Sequence, residues 1–205
     1  MPNLYCVRAD YGTYTKQFLA GGYVAIGWLS NINLTNITTR DQLYPIYKSE
    51  HPDDVSNVVI GQQVGQIARF LLEIKGGDYV IVPDPNTEIF HYGVVEENSY
   101  FFSAGEDDCP FLHRKRVKWH NNPVQRSIFS VPFQNTIRSS LTVFRINHEN
   151  HFFSTIGKQD LISKQEQKFE YDYYKTILDK ILLLDDKEFE ILITHILEAL
   201  GFEGA

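Results

Sequence analysis

A chain of 205 residues that is 43% hydrophobic and 14% aromatic has the material for a sizeable core, which argues against disorder. Its net charge of −7 argues against a non-specific DNA binder unless its cations cluster; the acidity sits mainly in the tail, where residues 158–205 hold 6 Lys+Arg against 11 Asp+Glu. The two cysteines, Cys6 and Cys109, match no metal-ligand spacing and fit a reducing compartment, and the absence of a signal peptide or a run of roughly 20 apolar residues predicts a soluble, cytoplasmic protein with no membrane contact.

In chain order, Leu4 to Arg8 reads as a strand, and Thr13 to Leu19 as a helical turn closed by Gly21-Gly22. Tyr23 to Trp28 is a second, largely buried strand. Thr39 to Ser49 reads as a helix capped by Thr38 or Thr39. Over residues 56–74, Ile60, Val64, Ile67, Leu71 and Ile74 repeat at helical spacing, while Gln62, Gln66, Arg69 and Glu73 form a polar stripe on another face. Gly76-Gly77 ends that helix. A meander follows: Asp78 to Pro83, a turn at Asp84-Pro85-Asn86, Glu88 to Glu96, Tyr100 to Phe102, an exposed loop at 105–108, Phe111 to Trp119, and Leu141 to Ile146. Five or six strands around one long helix predict an α+β fold, a curved antiparallel sheet or small barrel with packed helices.

The tail is helical. Ile162, Phe169, Tyr173, Ile177, Ile181 and Leu184 form one amphipathic stripe, and Asp185 with Glu188 reads as a capping box. Phe189, Leu192, Ile193, Ile196, Leu197 and Leu200 line the next helix, which Gly201 closes. The expected divisions are a domain over 1–155, a helical linker over 156–184 and a further segment over 185–205.

Several pieces resemble a known family. They are Tyr5-x-Val7-Arg8-Ala9, Val24-Ala25-Ile26-Gly27-Trp28, Gly65-Gln66-Ile67-Ala68-Arg69-Phe70, and Ile74-Lys75-x-Gly77-Asp78-Tyr79-Val80-Ile81-x-Pro83. Tyr92-Gly93-Val94-Val95, His113 to Trp119 and Leu141-Thr142-Val143-Phe144 continue the series. In this order and spacing they resemble the EVE/PUA-like N-terminal sensor domain of Mrr-like, type IV, modification-dependent restriction endonucleases. Phe189-Glu190, the Leu/Ile stripe and Leu200-Gly201-Phe202 resemble the first helix of the Mrr-type catalytic domain. The resemblance implies a parent nuclease that uses Mg and a cluster of acids with a lysine. It implies no catalytic residue and no cofactor within these 205 residues, whose one candidate acid is Glu190.

The same resemblance implies a base pocket at Gly27 and Trp28, bounded by Pro83, with Tyr92 and Trp119 as further aromatic candidates. A flipped base regains stacking there worth roughly 1–3 kcal/mol. A core tryptophan beside a small neighbour is the alternative for Trp28, a packed sheet face for Tyr92, and a rim or core aromatic for Trp119. Arg114, Arg116 and Lys118 share one strand face at roughly 6.5–7 Å spacing, close to that of phosphates. A charged, solvated edge strand explains them equally. Gln62, Gln66 and Arg69 offer a second grip on a nucleic-acid backbone, unless the stripe faces water or Arg69 pairs with Glu73. Arg138 and Ser139 are loop candidates for the same role. His148-Glu149-Asn150-His151 lacks a third ligand and reads as a turn, so no metal is assigned.

The function expected is a DNA-binding module that recognises a modified or flipped base and targets an Mrr-like nuclease in restriction-modification and phage defence. Rival expectations are an RNA-binding PUA-like module, a nucleotide sensor in phage defence and a protein-interaction scaffold. A homodimer through the C-terminal helices is a further expected partner arrangement.

Overall fold

The computed structural model describes residues 2–200 except 54, 55, 85 and 106, with the backbone but not the side chains of 9, 159–167, 169 and 170. The Asp84-Pro85-Asn86 turn at residue 85, the helix closure at Gly201, Phe202, and the Ile162 and Phe169 side chains therefore lie outside the described residues. Contacts divide the chain into two units, Met1–Thr155 and Ile156–Ala205.

The fold is α+β. Short strands β1 (Leu4–Val7) and β2 (Tyr23–Ile26) are buried at every position, as apolar runs between turns require. Between them lies α1 (Thr15–Gly21), and after them α2 (Leu43–Glu50) and α3 (Asn57–Ala68). The helical stripe on α3 does what its spacing predicts: Ile60, Val64 and Ile67 are buried against the sheet. Each large apolar side chain buried this way contributes about 1.5–3 kcal/mol. Ser56 caps α3 by accepting from the Val59 N–H. The helix does not continue regularly to Ile74. It widens into a π turn over Arg69–Glu73, marked by the Ile74 N–H donating to the Arg69 carbonyl.

β3 (Tyr79–Pro83), β4 (Ile89–Phe102) and β5 (His113–Trp119) form the meander. β4 is one strand rather than the two that the sequence suggests. Its register slips between Val95 and Tyr100, so Glu96 to Ser99 bulge out without ending the pairing. A two-residue β6 (Val124–Gln125) and the helix α4 (Val131–Ile137) carry no strong sequence pattern. β7 (Val143–Arg145) completes a seven-stranded sheet of order β2-β5-β4-β3-β1-β7, with β6 beside β4. The path is open rather than closed into a barrel. It is antiparallel except for β1 against β3.

Residues paired across strands share a sheet face. The face holding Tyr5, Val7, Val24, Val80 and Val95 packs under α3. On the other face, Phe90 and Tyr92 are covered by Phe129, by Phe133 of α4 and by Phe152 of α5 (Glu149–Ile181). α5 starts at Glu149, so the predicted turn at 148–151 is a helix start. His151 Nε2 there accepts the Ser130 N–H instead of facing a metal.

In the second unit, α6 (Asp186–Ala199) opens with the expected capping box. Asp185 accepts the Glu188 N–H at 2.8 Å, and Glu188 accepts the Asp185 N–H at 3.0 Å. Phe189, Ile193 and Ile196 on it are exposed. Among the described residues, no helix is long and apolar enough to cross a membrane.

Candidate functional site

Two sharp reversals shape an aromatic cavity. After β1, Asp10 and Tyr11 adopt left-handed backbone angles (φ 48° and 53°), and after β2 Leu29 does the same (φ 55°). Such conformations cost non-glycine residues on the order of 1–3 kcal/mol each and persist only where the surroundings hold them. His113 holds Leu29. Its Nε2 donates to the Leu29 carbonyl at 2.9 Å, and its Nδ1 accepts from the Tyr100 hydroxyl at 2.8 Å. A carbonyl only accepts, so the proton of the neutral ring sits on Nε2.

His113 is fully buried, and burial lowers its pKa below the ordinary 6.5. The unfolded chain therefore binds a proton that the folded chain resists. His113 gives its full contribution above pH 6.5, and stability falls as pH drops below that value. Thermal melts across this window should show a shallower acid loss for His113→Gln than for the parent chain; equal slopes would remove His113 as the cause.

Between the reversals lies a cavity of about 320 Å³ lined by Asp10, Tyr14, Gly27, Trp28, Phe111 and Thr142. Trp28 is half-buried and sits in the turn after β2, not in the strand. Tyr14 and Phe111 meet edge to face at 4.9 Å. A Cβ on Gly27 would lie 2.7 Å from the Phe111 ring. The close approach that glycine permits is thus taken by Phe111 rather than left for a ligand.

The loop carrying Phe111 is held from inside. Arg114 forks onto Asp107 at 2.8 and 2.6 Å, donates to the carbonyls of Phe111 and Cys109, and lies 4.2 Å from the centre of the Tyr23 ring. Tyr23 donates to the same carboxylate. The Arg114 fork, aided by the Tyr23 hydroxyl, pulls the Asp107 carboxyl down to about 2. Arg114 is only 4% exposed, which corrects its expected place in a cationic row. Arg116 and Lys118 remain exposed on that face.

The opposite wall is held by α3. Gln66 is buried and accepts the N–H groups of Thr142 and Val143 at 2.7 and 3.1 Å, while Arg69 donates to the Val143 carbonyl and pairs with Glu73. The Gln66 oxygen is thus spent on the chain's own backbone. Gln66 still lines, with Arg69, Gln62, Arg40 and Leu141, a polar hollow of about 200 Å³. Leu141 and Thr142 are consecutive, so the aromatic cavity and the cationic hollow share one stretch of backbone.

The remaining expected residues lie elsewhere. The Pro83 carbonyl accepts from Thr15, and Pro83 does not line the Trp28 cavity. Tyr92 is buried, its ring stacked 4.3 Å from His120. Trp119 donates to the Phe18 carbonyl and lines a separate hollow with Tyr79, Lys118 and His120. Arg138 is exposed beside Asn135, and the Ser139 hydroxyl accepts the Leu141 N–H, shaping the loop at the cavity. Asp10, Tyr14, Phe111, Thr142 and Arg40 were not anticipated as site residues. The one local signal was Asp10 before Tyr11-Gly12, since aspartate tolerates left-handed turns.

Among the described residues, no group of three or more His, Cys, Asp and Glu side chains is arranged to hold a metal ion, and Glu190 belongs to no such group. A family model described as "Domain of unknown function (DUF8426)" matches residues 7–147. No curated protein matches the chain.

Proposed function

Because the chain belongs to the DUF8426 family, whose function is unknown, we propose from the geometry of its first unit that it reads a flipped nucleobase, most simply a modified base in DNA. The carrying observation is the cavity walled by Trp28, Tyr14 and Phe111 with Asp10 at its lining. A base taken from a duplex loses its stacking, and aromatic walls replace it. A carboxylate only accepts hydrogen bonds, so Asp10 favours bases carrying an exocyclic amine, cytosine, adenine or guanine, over thymine, whose one donor is its ring N3–H. The Arg40, Gln62 and Arg69 hollow suits a neighbouring phosphate. The resemblance to EVE/PUA-like sensors of Mrr-like endonucleases supports the same reading, with a nuclease as the effector that this module would direct.

The test is a binding screen of the full chain against duplexes carrying modified cytosines or adenines, with unmodified duplex, RNA and free nucleosides as controls. Preference for one modified duplex supports the reading; equal affinity for all duplexes sinks it. Asp10→Asn, which adds a donor, should narrow the gap between amine-bearing bases and thymine.

If Arg116 and Lys118 track the backbone, neutralising either should weaken binding about equally across sequences. It should also reduce the slope of log affinity against log salt by roughly one unit. A loss confined to one sequence would contradict that role. A second reading, a sensor of free nucleotides, gains from one observation: Arg114 and Lys115 are internal, which shortens the cationic row. Salt-independent binding of a free nucleotide, with no preference for duplex, would favour it.

A further inference from the structure

A second cavity, of about 420 Å³, lies where two irregularities face each other. One is the π turn at the end of α3, which supplies Leu71 and Leu72. The other is the bulge of β4, which supplies Glu97, Asn98 and Ser99. Departures of both kinds concentrate at functional sites. Lys115 also lines this cavity. It is 4% exposed, and its Nζ donates to the Ile74 carbonyl at 2.7 Å. That is one partner for three N–H groups.

Among the described residues, no carboxylate lies within ion-pair distance of Lys115. The charge that partly offsets its burial, Asp78, already accepts from Asn3 and from the Lys75 N–H. Ser99, 4% exposed, lines the same cavity. Besides that carbonyl, the Lys115 ammonium has the Phe70 ring 6.0 Å away, so a buried cation with N–H groups to spare beside this cavity is an incomplete constellation. An acceptor of negative charge would complete it.

We propose that this cavity is a second ligand site, taking the carboxylate or phosphate group of a small molecule on Lys115 and Ser99. The charged groups around it are Lys75, which favours an anion, and Glu97, which opposes one; both are exposed, so the cavity is open to solvent. Burial holds the Lys115 ammonium down to about 8, partly offset by Asp78. A bound anion reverses that shift, so affinity should fall as pH rises through 8. The site is distinct from the Trp28 cavity. The two are joined by a hydrogen-bond chain from Tyr100, which lines the second cavity, through His113 to Leu29.

The full chain, with lysine side chains isotopically labelled, is titrated with inorganic phosphate and separately with acetate. Saturable displacement of the Lys115 signal, with its titration midpoint moving upward, is the expected result. Response to one anion alone identifies which group the site takes. Lys115→Met keeps the shape while removing a buried charge, so it should fold and bind about tenfold or more weakly. Glu97→Gln, at an exposed position, should tighten binding. A Lys115 signal unmoved by both anions, or Lys115→Met binding as well as the parent chain, overturns the proposal.

Discussion

Trp28→Ala should weaken binding of the preferred duplex by about 1–3 kcal/mol, roughly 5- to 150-fold, while the chain melts cooperatively as before. Two features set this expectation apart from that for an ordinary aromatic. Trp28 is half-buried in a turn, so its removal opens no sealed core, and the cost of a buried cavity does not apply in full. Leu29 beside it is held by His113 through the backbone carbonyl, which the substitution leaves untouched. The wall should vanish while the turn stays. Trp28→Phe should recover part of the loss, since a smaller ring still stacks. Fluorescence anisotropy with labelled modified duplex measures the affinity, and circular dichroism reports the fold. Unchanged affinity in Trp28→Ala would place the base elsewhere, with the Trp119 hollow the next candidate.

How much of this site was legible follows from what local patterns encode. The stripe on α3 was readable because Ile60, Val64 and Ile67 meet one surface at helical spacing. The bulge in β4 read as a break, because Glu96 to Ser99 are polar and mostly exposed while the strands on both sides stay paired. The π turn left no trace in the residue pattern. Gly27-Trp28 was visible as a small residue beside a large aromatic. Its partners Asp10 and Tyr14, Phe111, and Thr142 come from three other stretches of the chain, and no spacing rule joins these stretches. The β5 cations show the limit most directly. Strand alternation says that Arg114, Arg116 and Lys118 share a face, but not which part of that face a loop will cover. Asp107 lies seven residues before Arg114, and only the folded loop brings it to 2.6 Å.

Arg114→Ala should be the most destabilising of these substitutions, by about 3 kcal/mol in urea unfolding, with Arg116→Ala within about 0.5 kcal/mol of the parent chain. Arg114 satisfies two backbone carbonyls and forks onto Asp107. Truncation leaves the Phe111 and Cys109 carbonyls without that donor, at about 1–3 kcal/mol for each that stays buried. Little is added from Asp107 itself, whose side chain is 37% exposed and regains water. The Asp107 carboxyl, held at about 2 by Arg114, should return toward its ordinary 3.8. In the parent chain the pair contributes fully above pH 3.8, and that contribution is lost as pH falls toward 2; the variant should show a smaller acid step, since Tyr23 and the Cys109 N–H still donate to Asp107. Arg114→Lys keeps the charge but offers no planar fork, so it should recover less than half of the stability. Phe111 hangs from the same loop, so base affinity should fall in Arg114→Ala even under conditions where the chain remains folded. Equal stability of Arg114→Ala and Arg116→Ala would mean that the Asp107 loop is held by other contacts. A loss of affinity in Arg114→Ala that depended on salt as strongly as that of Lys118→Gln would return Arg114 to the nucleic-acid surface.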